Sequence, residues 1–154
     1  MNILCKILMT FIITLINSEQ VYFSIDTNAI NFPSTEYDSI VVNGSWDNWS
    51  SNSITLSDSD GDGVYIGVID LVNGSYEYVF ALTGPSDNYS GWGEIIYAPQ
   101  NSFCDFNPND DHYNYGFSVQ DDSVNQSYCI GTCQYTCIEE IVQDDYVLVW
   151  SDEF

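Results

Sequence analysis

Two tryptophans lie in polar, turn-rich segments of the sequence, where an aromatic side chain is more often exposed than in a strand. Trp49 belongs to GSWDNWSS and Trp92 to YSGWGE. An exposed indole is a flat apolar plate, and the C–H face of a sugar ring stacks on such a plate. Adjacent amides such as Asn48 can hydrogen-bond the hydroxyl groups around the ring. These residues predict carbohydrate binding; the alternative is that both indoles pack beneath loops.

The carboxylates form no organised catalytic pair. The chain has 23 Asp and Glu residues, and they are scattered over turns. Glycoside hydrolysis needs two carboxyl groups about 5 to 10 Å apart with different pKa values. The sequence also has no Gly-x-Ser-x-Gly elbow, Cys–His arrangement or phosphate-binding loop. We therefore expect no catalytic residue in this chain.

The segment DSDGDGVY suggests calcium binding, but the pattern is incomplete. Asp58, Asp60 and Asp62 fit the first half of an EF-hand loop. The twelfth position, however, is Ile69 instead of the bidentate Glu. A tight acidic hairpin turn is the favoured interpretation, and structural calcium is the alternative. We expect no other cofactor.

A period of two in the apolar residues indicates which elements carry these sites. In VYFSID and SYEYVFAL every second residue is apolar or aromatic. Further short β-branched and aromatic runs alternate with turns rich in Gly, Pro, Asn, Asp and Ser, and no segment has a sustained helical period. The pattern predicts an all-β domain over residues 19–137, an immunoglobulin-like antiparallel β-sandwich.

Cysteines are concentrated towards the end of this predicted domain. In an exported chain four of them would form two disulfides, with three possible pairings. A zinc site is the alternative, but the C-x3-C-x3-C spacing lacks a CxxC pair and His112 is isolated. The four disulfide candidates are Cys104, Cys129, Cys133 and Cys137.

Residues 1–18 have the layout of a secretory signal peptide. Lys6 precedes the apolar run 7–16, which is shorter than the ~20 residues of a membrane span. The alternative is a buried N-terminal strand or helix. Removal of the leader would also remove the only Lys or Arg, so the exported chain could not neutralise nucleic acid or an anionic membrane surface. We expect a secreted, extracellular monomer; a periplasmic or cell-surface location is the alternative.

The order of motifs resembles carbohydrate-binding family 48, the glycogen- and starch-binding modules also found in the AMP-activated kinase β-subunit. The resemblance covers roughly residues 20–137, and its most specific parts are GSWDNW and, about thirty residues later, GSYEYVF. It implies that a glucan such as glycogen, starch or laminarin is the partner. A D-x-D-G-D-G hairpin and a cysteine-rich tail are similar to features of secreted bacterial modules.

The resemblance also implies roles for individual residues. Trp49 matches the stacking tryptophan of the family's turn and Trp92 its loop tryptophan, whereas Trp46 matches an aromatic that packs inward. In YNYGFSV, where the family has its last strand, Asn114 or Tyr115 would contact sugar. Two departures concern the ligand: the family's lysine in Y-x-Y-K-F is Val79 here, and TGPSDNYS enlarges the loop before Trp92.

The C-terminal residues are predicted to begin another domain. Residues 138–145 form an acidic linker, and YVLVWSDEF, residues 146–154, resembles the opening strand of family 16 glycoside hydrolases, which include laminarinases. The catalytic motif of that family lies further downstream, so no catalytic role is transferred. We expect a glucan-binding module from a longer polysaccharide-degrading enzyme; the alternative is a non-binding structural spacer or adhesion module.

Overall fold

The computed structural model describes residues 17–137, which fold into two packed β-sheets. The predicted leader up to residue 16, the acidic linker and the hydrolase-like segment lie outside the described residues. No helix within residues 17–137 has the length and apolar character needed to cross a membrane. The strands are β1 (Ser18–Asp26), β2 (Ser39–Gly44), β3 (Ile54–Leu56), β4 (Val64–Val72), β5 (Gly74–Thr83), β6 (Glu94–Ile96), β7 (Tyr115–Val119) and β8 (Val124–Cys129).

The strands confirm the predicted all-β sandwich with a cysteine-rich C-terminal tail. One sheet has the order β4-β1-β8, and the other has the order β3-β2-β5-β6 with β7 also paired to β5. All pairings are antiparallel except that of β1 with β8, which is parallel. The sequence pattern had predicted an antiparallel arrangement throughout, and a period of two does not distinguish the two directions.

Strand β5 is the centre of the larger sheet and divides one of its edges between two partners. β2 pairs with it from Ser39 to Gly44, while the opposite edge pairs first with β7 and then with β6. Val79 lies at the point where one partner ends and the other begins. The loop between β6 and β7 therefore leaves and returns at the same place beside β5.

The core is built from the residues that the period of two selects. On β5 the side chains of Tyr78 and Phe80 are fully buried between the sheets, and those of Phe23 and Ile25 on β1 face them. Phe23 packs edge-on against Tyr78 with ring centroids 4.9 Å apart. Burying several aromatic rings of this size dominates the hydrophobic stabilisation of a small domain.

The outward face of the larger sheet is also covered. A loop over residues 84–93 lies across it, because the Asn43 side-chain amide donates to the Gly91 carbonyl at 2.7 Å and the Gly91 N–H donates to Thr83 Oγ1 at 3.0 Å. Val79 and Ala81, which point away from the sandwich core, are buried as a result. The sheet thus has a packed inner face and a loop-covered outer face.

The structure contains one of the three disulfide pairings that the sequence leaves open. Cys104 pairs with Cys133, with Cα atoms 5.6 Å apart, and Cys129 pairs with Cys137, with Cα atoms 4.8 Å apart. Both separations lie in the usual range for a disulfide. The first bond ties the β6–β7 loop to the tail, and the second closes a small ring within the tail.

We expect the two disulfides to contribute unequally to stability. Loop-closure entropy predicts a loss of about 3.5 kcal/mol for C104A/C133A, whose cysteines are 29 residues apart, and about 2.5 kcal/mol for C129A/C137A, whose cysteines are 8 apart. Urea unfolding of the two double variants beside the parent measures both losses. A C104A/C133A midpoint equal to that of the parent would contradict this order.

Candidate functional site

A pocket of about 320 Å³ lies on the outer face of the larger sheet, beside the junction of β6 and β7 with β5. The sheet contributes Glu77 and Val79 from β5 and Ile95 from β6. Glu77 and Val79 occupy alternate positions with the core residue Tyr78, so their side chains point to the opposite side of the strand. The pocket and the core are therefore two faces of one strand.

Aromatic side chains from three loops form the rest of the apolar surface. Trp49 comes from the loop after β2, Trp92 from the loop after β5 and Tyr97 from the loop after β6. The two indoles are half-buried and Tyr97 is exposed. The structure thus brings together the two tryptophans that the sequence singled out, although 42 residues lie between them in the chain.

The turn that carries Trp49 has an unusual backbone. After a short 3₁₀ turn over Ser45–Asp47, Asn48 and Trp49 both have φ of 62°, a left-handed conformation that costs a bulky residue on the order of 1 kcal/mol or more. The Trp49 N–H donates to the Gly44 carbonyl at 3.0 Å, and the Asp47 carboxylate accepts the Ser50 N–H at 3.1 Å. These bonds hold the indole in place.

Trp46, in the same turn, points the other way. Its ring packs against Phe23 and Tyr78 of the core, and its Nε1–H donates to Ser53 Oγ at 2.7 Å. A Cβ atom at Gly44 would overlap the Trp46 ring, which explains why the residue before the turn is glycine. One turn therefore anchors Trp46 in the core and presents Trp49 at the pocket.

The loop that carries Trp92 is organised around the Asp87 carboxylate. It accepts the Gly84 N–H and the hydroxyl groups of Thr83 and Ser90, each at 2.7 Å. Ser90 Oγ in turn accepts the Trp92 N–H at 3.1 Å. Desolvation raises the pKa of Asp87, but these hydrogen bonds outweigh it and hold the pKa well below the ordinary value of an Asp.

The polar part of the pocket consists of Asn114, Glu77 and His112. The Asn114 side-chain amide donates to Glu77 Oε2 at 2.9 Å, so the amide oxygen of Asn114 and the carboxylate remain hydrogen-bond acceptors for a ligand. Asn114 is buried, Glu77 is half-buried and His112 is exposed. The one Lys or Arg of the chain is Lys6, so no Lys or Arg side chain within residues 17–137 can neutralise an anionic ligand here.

Two residues assigned to the site from sequence lie elsewhere. Tyr115 is 0% exposed; its ring stacks on Tyr78 in the core at 5.6 Å, and its hydroxyl donates to the Thr132 carbonyl at 3.1 Å. The assignment of Tyr115 is therefore wrong: Tyr115 begins β7 directly after Asn114 and faces the opposite side. Asn48 is exposed immediately before Trp49 but does not line the pocket.

The sequence interpretation missed several residues that line the pocket. Glu77 and Ile95 could have been found, because outward positions of a strand follow from its alternation. Tyr97 and His112 carried no such signal. They lie in the irregular loop between β6 and β7, and only the pairing of both strands with β5 returns that loop to the pocket.

The acidic turn before β4 lies outside the pocket. Oxygen atoms of Asp58, Asp60 and Asp62 come within 4.8 Å of one another. Asp58 accepts the N–H groups of Gly61 and Gly63 at 2.7 and 3.0 Å, and the bond from Gly63 is the largest cause of a lowered Asp58 pKa. These bonds are those of a tight hairpin turn, and calcium binding stays a prediction.

Comparison with known proteins does not assign the chain to a family. No protein-family model matches it, and no curated protein is significantly similar to it. The resemblance to carbohydrate-binding and hydrolase families therefore rests on the quoted motifs, and it stays a prediction.

We expect the Trp92 loop to loosen in acid because its central carboxylate has a lowered pKa. Such a group stabilises the folded loop fully above its ordinary pKa of about 3.9, and this contribution is lost progressively as the pH falls from that value through the lowered pKa of the folded loop. In D87N the neutral amide should weaken the loop at neutral pH, where the Asp87 carboxylate of the parent is ionised. Tryptophan fluorescence and quenching, recorded from neutral pH into strong acid at about pH 1, report on the loop.

Asp70, which is exposed on β4, provides the matched control for the loss of one negative charge. D70N should keep the acid transition of the parent, since this carboxylate does not belong to the loop. A D87N variant whose Trp emission and quenching equal those of the parent at neutral pH would show that the carboxylate does not organise the loop.

Proposed function

We infer that residues 19–137 are a secreted carbohydrate-binding module that holds a glucan against the outer face of the larger sheet. The observation that supports this most is the convergence of Trp49, Trp92 and Asn114 on one pocket. Each was selected from the sequence for contact with sugar, and they come from three separate segments of the chain. Core packing alone does not require aromatic side chains to meet at a half-exposed surface.

The chemistry of the pocket suits a polymer of neutral sugars. Indole faces offer stacking worth on the order of 1 kcal/mol each, and the Asn114 oxygen and the Glu77 carboxylate can accept hydroxyl protons. A few such contacts correspond to micromolar to millimolar affinity. Binding of this strength is sufficient for a module that holds a soluble or insoluble polysaccharide near a catalytic domain.

Charge narrows the class of glycan. Val79 occupies the position at which carbohydrate-binding family 48, which the chain resembles, has a lysine. Glu77 adds a carboxylate to the pocket, and the chain has a net charge of −22. Sulfated or carboxylated polysaccharides would be repelled, as would nucleic acid and anionic lipid. Neutral glucans such as laminarin, glycogen or starch remain the proposed ligands, and the module is proposed to act as a monomer.

The wider protein is proposed to be an exported polysaccharide-degrading glycoside hydrolase. The leader-like segment 1–18 is consistent with export, and two disulfides are usual for proteins of oxidising compartments. The segment 146–154 resembles the start of a laminarinase-like domain. The catalytic residues of the full protein would belong to that domain.

A second candidate is a structural or adhesive spacer, and the outer face of the smaller sheet favours it. Ile66 and Val68 of β4 are 54% and 48% exposed, and Tyr22 of β1 lies opposite Val68 on the same face. An apolar sheet face of this kind suits contact with a neighbouring domain. The spacer hypothesis predicts no retention by any glycan.

Affinity electrophoresis in gels that contain laminarin, glycogen or starch tests the proposal. The parent should be retarded by at least one of these glucans and not by an anionic polysaccharide such as alginate. W49A and W92A should lose most of the retardation, because each removes a stacking face of the pocket. The expected weakening is about fivefold or more per tryptophan.

The control is F103A, since Phe103 is 87% exposed and does not line the pocket. It should migrate like the parent in every gel. If W49A and W92A also migrate like the parent, the pocket is not the binding site. Unretarded migration of the parent in all gels would favour the spacer.

A further inference from the structure

The turn that presents Trp49 occurs a second time in the chain. Residues 44–50 read GSWDNWS and residues 84–90 read GPSDNYS, so both follow the pattern Gly-x-x-Asp-Asn-aromatic-Ser. The first copy begins with Gly44, the last residue of β2, and the second begins directly after β5, the antiparallel neighbour of β2. The second copy is part of the enlarged loop before Trp92, for which the sequence resemblance offers no role.

The two copies share their backbone as well as their sequence. Each has a short 3₁₀ turn followed by two left-handed residues, Asn48 and Trp49 in the first and Asn88 and Tyr89 in the second, where φ is 53° and 57°. The aromatic N–H donates to the glycine carbonyl in both, at 3.0 Å and 2.9 Å. Both turns keep two φ angles that are unfavourable for residues other than glycine, so the same function is expected of both turns.

The aromatic of the second copy is exposed at a separate position. Tyr89 is 51% exposed and does not line the pocket. Its hydroxyl donates to Asp38 Oδ2 at 2.9 Å, and Asp38 Oδ1 accepts the Ser39 hydroxyl at 3.0 Å. The ring is therefore held in one orientation while much of its surface faces solvent.

Both turns belong to one continuous surface. The Asn52 side-chain amide, from the loop after Trp49, lies 3.5 and 3.4 Å from the carbonyl oxygens of Tyr89 and Ser90. The Tyr89 hydroxyl is bonded to Asp38, which directly precedes Ser39, the partner of Thr83. Val79 of the pocket lies four residues before Thr83, which corresponds to roughly 13 Å of strand. A ligand that reaches from Val79 to the Tyr89 ring must therefore be longer than a disaccharide.

We propose that Tyr89 is a second sugar-stacking position, which binds a distant part of the same neutral glucan chain that occupies the pocket. This inference rests on the proposed function of the pocket. A tyrosine has few rotatable bonds, and the bond to Asp38 restricts them further, so little conformational entropy is lost when a sugar stacks on the ring. The Asp38 carboxylate beside the ring can accept hydroxyl protons from the same sugar.

Isothermal titration with a disaccharide and a heptasaccharide of the retained glucan tests the assignment. Y89A should bind the heptasaccharide about fivefold more weakly than the parent and the disaccharide equally well, because only the longer ligand reaches Tyr89. Y89F keeps the ring but loses the bond to Asp38, and it should remain within about twofold of the parent. W49A should lose affinity for both ligands.

Tyr135, which is 75% exposed in the tail, supplies the matched control, and Y135A should bind like the parent. The inference is overturned if Y89A binds the heptasaccharide as tightly as the parent while W49A does not, an outcome that leaves the proposed function standing. It is also overturned if Y89A weakens both ligands equally, since Tyr89 would then act through the shape of the pocket. If the parent binds neither ligand, the proposed function and the inference fail together.

Discussion

The alternation of side chains along β5 is the constraint on which both the core and the pocket depend. Tyr78 and Phe80 point into the sandwich, whereas Glu77 and Val79 point to the pocket. A slip of one residue in the register with β2 would exchange the two sets, placing a carboxylate in the core and an aromatic ring against the loops. The large aromatic surface buried on the inner side fixes the register, and that register determines which side chains of β5 line the pocket.

The covering loops convert this outer face into a candidate site. A bare sheet face would leave Val79 and Ala81 in water, but the loop over residues 84–93 buries them and positions Trp92. Hydrogen bonds to the Asp87 carboxylate organise this loop. The outer face therefore depends on polar contacts that are sensitive to pH, whereas the inner face depends on apolar burial, which is not.

Parts of the site could be predicted from the sequence, because an indole flanked by turn residues signals exposure and the motif order supplied a position for Asn114. The error at Tyr115 has a simple cause. Neighbouring residues of a strand face opposite sides, and which of the pair faces outward depends on the register with β5. Tyr97 and His112 were not predicted, because an irregular loop has no periodicity from which the direction of a side chain can be inferred.

The sequence by itself determined the all-β class, the buried positions of the central strands, the strong acidity of the chain and the two tryptophans of the candidate site. These properties follow from local composition and a period of two. Only the tertiary structure decided the disulfide pairing, the parallel contact of β8 with β1, the convergence of Trp49 and Trp92, and the shared backbone of the two aromatic turns. The first three depend on contacts between distant segments, which are fixed by packing and strand register, whereas the backbone of each turn is held by hydrogen bonds within that turn.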